Sequence, residues 1–359
     1  MDLFYNAYFG KSFMMIGDSL PKCFNCSYCR ANDSNNYHFH LLPTELNPLF
    51  NNIPIAVNLF YGDPMLQLDN TLSLLDKLEY SGHNGPVLLV TKGDLTKFPL
   101  NKHYNLDLHF GLSTFGINSK YDGGTMERFG TNLAWAKNSG YKYSIEFRPI
   151  INEINSSQEI IENIISLAYE FNAGIAYSGL QVSENLKQRL KEDNIEFKPF
   201  DNHEFGLKKY VGKSVQNLFN QCNTYNIPIF KKTSCLITWT HNLNRDPNAH
   251  YYRPNEIGCN NCPMKEKCFK YKNNLSDTLS IDIPFKYKIV DKSNHICSLF
   301  KAGSCKYPSY DCMHITGKLI QIDDEIITTT DVRLIKWLTG YTVDAKFIES
   351  PYINKKWIC

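Results

Sequence analysis

Three cysteines within seven residues, in Lys22-Cys-Phe-Asn-Cys-Ser-Tyr-Cys-Arg30, let one loop wrap a metal or cluster from one side. No fourth cysteine completes the set of Cys23, Cys26 and Cys29 within that segment. A bacterial ferredoxin run places its next cysteine after three intervening residues and then proline, where this chain has Asp33 and Ser34. A structural zinc would draw its fourth ligand from elsewhere, with His38 and His40 the nearest candidates. The other possibility is a 4Fe-4S cluster with one open iron.

A second set follows in Cys259-Asn-Asn-Cys262-Pro-Met-Lys-Glu-Lys-Cys268, preceded by Cys235. Four thiolates from two segments suit a fully ligated second 4Fe-4S cluster, the expectation here, or a closed tetrahedral zinc, the alternative. Cys297, Cys305 and Cys312 are spaced too widely for one loop and read as core thiols, while Cys222 and Cys359 stand singly. His241 and His250, near the second set, read as surface or hydrogen-bonded residues. No Gly-x-x-x-x-Gly-Lys loop, Gly-x-Ser-x-Gly elbow or His-Glu-x-x-His helix is present, which counts against NTPase, serine hydrolase and zincin chemistry.

The chain that must position these groups has 359 residues, 43% of them hydrophobic and 21% charged, an ordinary globular composition. Its net charge of +2 provides no global field for nucleic acid or anionic lipid. The first twenty residues have no basic region before an apolar core, and no apolar run approaches a bilayer's width, so a cytoplasmic protein without membrane contact is expected. In a reducing compartment twelve cysteines point to metal binding or catalysis rather than disulfides.

Short apolar runs at 13–16, 53–60, 87–91, 106–113, 143–147 and 174–177 read as strands. Helical spacing recurs over Leu72–Leu78, Met126–Ser139, Ile160–Phe171 and Glu184–Lys191. The alternation implies parallel strands with right-handed crossovers: an α/β fold, read as a partial (β/α)6 barrel of TIM-like type, with a doubly wound sheet the competing architecture. After about residue 230 the alternation fades and eight of the twelve cysteines appear. The expected division is therefore a barrel over 1–230 and a small Cys-rich α+β domain over 231–359, with a strand from Lys318 and a helix over Asp331–Thr339.

The first cysteine segment resembles that of the radical S-adenosylmethionine superfamily, in which three cysteines after the first barrel strand hold a 4Fe-4S cluster whose open iron is chelated by the methionine part of the cofactor. The resemblance covers about residues 10 to 230. The usual gaps are three and two residues; here both are two, with Tyr28 at the aromatic position before the last cysteine. Asn58-Leu-Phe-Tyr-Gly-Asp-Pro-Met65 resembles the Gly-Gly-Glu-Pro turn that receives the cofactor's amino group, with Tyr61, Gly62 and Asp63 in the matching places. Val90-Thr-Lys-Gly-Asp-Leu95 resembles a segment of the spore photoproduct lyase-like branch, which puts Lys92 beside the cofactor. Ser113, Glu146 and Arg148 match positions that contact the ribose hydroxyls and the cofactor carboxylate. The second cysteine set is similar to part of an auxiliary-cluster domain found in peptide-modifying members, although Lys272 stands where that domain has a further cysteine.

The resemblance implies reductive cleavage of S-adenosylmethionine and hydrogen abstraction from a macromolecular substrate, nucleic acid or peptide, with flavodoxin or ferredoxin as electron donor. Tyr177, Cys305 and Cys312 are the candidate hydrogen donors. The contrasting expectation is a non-catalytic binding module for nucleic acid or protein, stabilised by zinc or an iron-sulfur cluster.

Overall fold

The computed structural model describes residues 5–9, 13–17, 24, 26, 28, 40–42, 51–58, 62–100, 105–151, 154–179, 188, 191–192, 212–244, 262–273, 275–295, 315–348, 350 and 353–357. The main sheet is built from β1 (Tyr5–Phe9), β2 (Met14–Ile16), β3 (His40–Leu42), β4 (Ile55–Val57), β5 (Pro86–Thr91), β6 (Asp107–Thr114), β7 (Lys142–Ile150), β8 (Gly174–Gly179) and β9 (Ile229–Phe230). Their order is β3-β1-β2-β4-β5-β6-β7-β8-β9. Every neighbouring pair from β2 to β9 is parallel, while β1 pairs antiparallel with β2 and β3.

Four helices make crossovers: α1 (Leu68–Tyr80), α2 (Met126–Ser139), α3 (Gln158–Glu170) and α4 (Gly212–Thr224). Their starts and stops follow local chemistry. The Thr125 and Ser157 side chains accept backbone N–H groups at the first turns of α2 and α3. Gly140 closes α2 at φ 76°, a left-handed conformation that favours glycine. The buried stripe of each helix, such as Phe129, Leu133 and Ala136 on α2, packs on one face of the sheet against Leu108, Phe110, Ile145 and Phe147.

The other face is covered by α5 (Thr233–Thr240) and by residues beside α6 (Lys265–Asn273). Phe13 and Met15 from β2 and the residue before it, Ala56 of β4, Leu88 of β5, Ala176 of β8 and Phe230 of β9 form one cluster with Leu236, Ile237 and Met264. In a flat sheet β2 and β9 would stand about 29 Å apart. One compact cluster drawing on both requires the sheet to curve around α5, which is the partial barrel expected from the sequence. Among the described residues the parallel strands number seven rather than six, because Ile229–Phe230 adds one that its two-residue length hides from periodicity. Most of the helix expected over Glu184–Lys191 lies outside the described residues.

A second, three-stranded sheet follows, in the order β10 (Lys288–His295), β11 (Ile315–Thr328), β12 (Thr342–Ile348). The pair β11–β12 is parallel, joined across α7 (Thr329–Thr339). Asp331 anchors that helix by accepting from Thr328 N–H at 2.6 Å, Asn354 N–H at 3.0 Å and Trp357 Nε1–H at 2.8 Å. No helix among the described residues is long and apolar enough to cross a membrane.

Candidate functional site

Parallel sheets gather their ligands at the C-terminal ends of the strands, and the polar groups of this chain converge there. At the end of β4 the backbone turns through Asn58, at φ 55°, whose N–H still bonds to Ile16 O at 2.8 Å. The Asn58 Nδ2 donates to Thr71 Oγ1 at 3.1 Å, and Thr71 donates to Pro64 O at 2.8 Å, tying the turn to α1. The Asn58 Oδ1 is buried and has no hydrogen-bond partner among the described residues. A buried acceptor left open at a strand's C-terminal end fits an N–H-bearing ligand.

Gly62 follows at φ 126°, a conformation that favours glycine, and then Asp63, whose side chain turns inward. Asp63 Oδ1 accepts from Thr91 Oγ1 at 2.5 Å and Met65 N at 2.9 Å, and Oδ2 accepts from Lys92 N at 2.6 Å. Burial raises the Asp63 pKa, and these hydrogen bonds oppose the rise. The carboxylate thus ties the end of β5 to Asp63 and Met65. Gly93 makes the close approach possible, since a Cβ there would lie 2.5 Å from Met65 Cβ.

The first cysteine segment is gripped by the loop after β6. Cys26 is buried; its Sγ donates to Asp122 Oδ1 at 3.1 Å and accepts Gly123 N–H at 3.3 Å. The Tyr28 hydroxyl donates to the same Asp122 oxygen at 2.7 Å, and its ring stacks on Phe115 with centroids 5.1 Å apart. Lys92 Nζ donates to Tyr28 OH at 2.6 Å and forms an ion pair with Asp122. A Cβ on Gly123 would stand 2.2 Å from Phe24 Cβ and 2.5 Å from Phe24 O, so only glycine lets the loop reach the segment. Burial pushes the Cys26 thiol up to about 11, and burial likewise raises Tyr28. A thiol so shielded from water ionises readily only against a bound cation, which a metal or cluster supplies. Cys23, Cys29 and Tyr61 lie outside the described residues.

Ser113 and Glu146 are register partners on β6 and β7. Glu146 is fully buried, pairs with Arg148 at 2.9 Å and accepts from Thr233 Oγ1 of α5 at 2.9 Å. Arg148 keeps a quarter of its side chain exposed while its guanidinium is anchored on the buried Glu146 carboxylate. Tyr177 pairs in register with Phe147 and packs in the helix-side core, on the face opposite Glu146. Cys305 and Cys312 fall outside the described residues.

At the N-terminal ends of β6 and β7 a second polar chain runs inward from solvent. Asp107 Oδ2 lies 2.5 Å from His241 Nδ1, His241 Nε2 lies 3.2 Å from His109 Nδ1, and His109 Nε2 lies 2.8 Å from Ser144 Oγ. One tautomer pattern satisfies all of it: each ring donates from Nδ1 and accepts at Nε2. Complete burial holds His109 well below the usual histidine range, with His241 and Lys142 adding to the effect. Burial works to raise Asp107, but hydrogen bonds and charges from His241 and Lys142 prevail and bring it to about 2. His241 is thus hydrogen-bonded, as the sequence suggests.

Three cysteines of the second set lie among the described residues. Cys235 on α5, Cys262 just before α6 and Cys268 within it all pack against the same inner cluster. Met264 N–H points at Cys262 Sγ at 3.4 Å, an amide-to-sulfur contact that suits a thiolate. Cys259 lies outside the described residues, among which no group of three or more metal-ligating side chains is assembled.

Sequence reading did not single out Asn58, Thr91, Asp122, Gly123 or Thr233. Asp122 and Gly123 had one available signal, the Asp-Gly-Gly run just before a capped helix, which reads equally well as an ordinary turn.

No family model matches the sequence, and no curated protein matches it. Among solved structures, two single-residue variants of spore photoproduct lyase are similar at a TM-score of 0.40, with 15% and 14% identity, over 56% of this chain and 69% of theirs. A radical SAM methyltransferase from Sphaerobacter thermophilus is similar at a TM-score of 0.40 and 12% identity, over 60% of this chain and 65% of that one.

Proposed function

We propose that this chain is a radical S-adenosylmethionine enzyme in which Cys23, Cys26 and Cys29 hold a 4Fe-4S cluster with an open iron. The observation that carries the reading is the setting of Cys26: a buried thiol at the C-terminal edge of a curved parallel sheet, accepting a backbone N–H and flanked by Lys92. When bound, the cluster supplies the electron that cleaves the cofactor to methionine and a 5′-deoxyadenosyl radical, which abstracts hydrogen from substrate.

The protein's part is to bind, orient and exclude water. Asn58 Oδ1 and the backbone of 62–65 are proposed to receive the cofactor's ammonium, with Asp63 holding 62–65 against β5. Arg148, held by Glu146, is proposed to pair with the cofactor's carboxylate, and Ser113, the register partner of Glu146, to meet a ribose hydroxyl. The Tyr28–Phe115 stack closes the segment against solvent. Cys235, Cys259, Cys262 and Cys268 are proposed to hold a second 4Fe-4S cluster, with zinc the alternative, that relays electrons or binds substrate. The electron donor is proposed to be a flavodoxin or ferredoxin. The substrate is proposed to be macromolecular; the sequence at the end of β5 leans toward nucleic acid and the second cysteine set toward peptide.

The test is anaerobic turnover with dithionite and S-adenosylmethionine, reading 5′-deoxyadenosine by chromatography. Wild type is expected to form it and Cys26→Ala is not. Absence of 5′-deoxyadenosine from wild type carrying its full iron content would overturn the proposal.

A further inference from the structure

Asp122 Oδ1 is a single acceptor serving three donors: Cys26 Sγ, the Tyr28 hydroxyl and Lys92 Nζ. Both members of the Lys92–Asp122 pair are nearly buried, with side-chain exposures of 11% and 3%. Taking two charges out of water costs several kcal/mol per ion in the general case, and an apolar pair of the same shape often serves stability as well or better. Packing alone therefore does not account for a buried lysine and carboxylate against a cysteine sulfur. Lys92 comes from the end of β5 and Asp122 from the loop after β6, so two elements each bring one charge to the same thiol.

We propose that Lys92 and Asp122 are positioning residues that set the reduction potential of the cluster held by Cys26, acting through opposed charges balanced at its sulfur. The inference rests on the reading of the first cysteine segment as an iron-sulfur site. Cluster potentials respond to net local charge, to hydrogen bonds on the sulfurs and to solvent exposure. Here Asp122 disfavours the added electron, Lys92 favours it, and Gly123 N–H on Cys26 Sγ favours it too. Because the two charges are adjacent, the sulfur meets a nearly neutral pair, and losing either member exposes the other.

The experiment is a redox titration of the full-length, anaerobically purified protein, followed by electron paramagnetic resonance, with iron content measured alongside. Lys92→Met is expected to lower the potential of the first cluster and Asp122→Asn to raise it. The double variant is expected to return close to wild type. Asp122→Ser, which drops the charge and keeps an oxygen near Cys26, carries the same expectation as Asp122→Asn. Shifts in the same direction, no shift in either single variant, or loss of iron from every charge-removing variant would assign the pair a purely structural role and overturn the inference. Wild type that binds no iron would instead overturn the proposed function itself, a separate and distinguishable result.

Discussion

The Asp122 hub at the C-terminal edge of the strands and the Asp107 chain at their N-terminal edge are built from similar parts: a carboxylate, a lysine, and partners brought by neighbouring elements. They differ in what is left over. At the base, Asp107, His241, His109 and Ser144 satisfy one another in one unbroken run, and the chain ends within the sheet. At the mouth, the same kind of network ends on a cysteine sulfur, and Asn58 Oδ1, at the end of β4, has no partner among the described residues. A closed network specifies a fold, whereas one that ends on a metal-capable atom and an open acceptor is prepared for a ligand. The two ends should therefore respond differently to substitution.

The largest effect is expected at Gly123. A Gly123→Val side chain would meet Phe24 Cβ and backbone oxygen at well under contact distance, displacing the cysteine segment. Most first-site iron should be lost while the circular dichroism of the barrel is preserved, and retention of full iron would show that the loop does not grip the segment. His109→Leu sharpens the other half of the comparison. It strands Ser144 and His241 in the interior and should cost ~2–4 kcal/mol of unfolding free energy with iron content unchanged.

Acidification probes the base as well. His109 and the buried His83, in the turn between α1 and β5, are both held below their unfolded value, His83 at about 4, so between that value and about 6.5 the unfolded chain binds more protons than the folded one. Stability contributed by these groups is complete above about 6.5 and falls as pH drops toward 4. Thermal melts across that range should show the decline, and His83→Leu should flatten part of it.

Asp63→Asn is expected to cost ~1–3 kcal/mol, because an amide nitrogen replaces one oxygen among N–H and O–H donors. The smallest effect belongs to the exposed Lys286–Asp324 pair, where Lys286→Ala should change melting behaviour barely, since such surface pairs contribute little.

Much of the barrel was legible because its helices carry three-to-four-residue apolar spacing, and some also clear caps: Met126–Ser139, capped by Thr125 and closed by Gly140, is observed with the same bounds. What escaped was short or antiparallel. The two-residue β9 has no periodicity to detect, and β1 with β3 extends the sheet through pairing that local pattern does not encode. At the site, spacing marked the cysteines, because their chemistry is local in sequence, while Gly62 and Asp63 were marked by the resemblance of their segment to a cofactor-binding turn. Asp122 and Thr233 act across 96 and 87 residues respectively, so only the folded chain reveals their partners. Tyr177 is separated from the inner face for a related reason: the run 174–177 reads as a strand, but which of its residues face α5 shows only in the fold, where Ala176 packs in the inner cluster and Tyr177 on the opposite face.

The central claim is tested most directly by anaerobic iron and sulfide analysis with electron paramagnetic resonance, recorded with and without S-adenosylmethionine. It compares wild type with a variant carrying Cys23→Ala, Cys26→Ala and Cys29→Ala together. About eight irons in wild type and about four in the variant, with a spectrum that S-adenosylmethionine perturbs only in wild type, is the result expected of two 4Fe-4S clusters. Zinc without iron, or a spectrum indifferent to the cofactor, would contradict it.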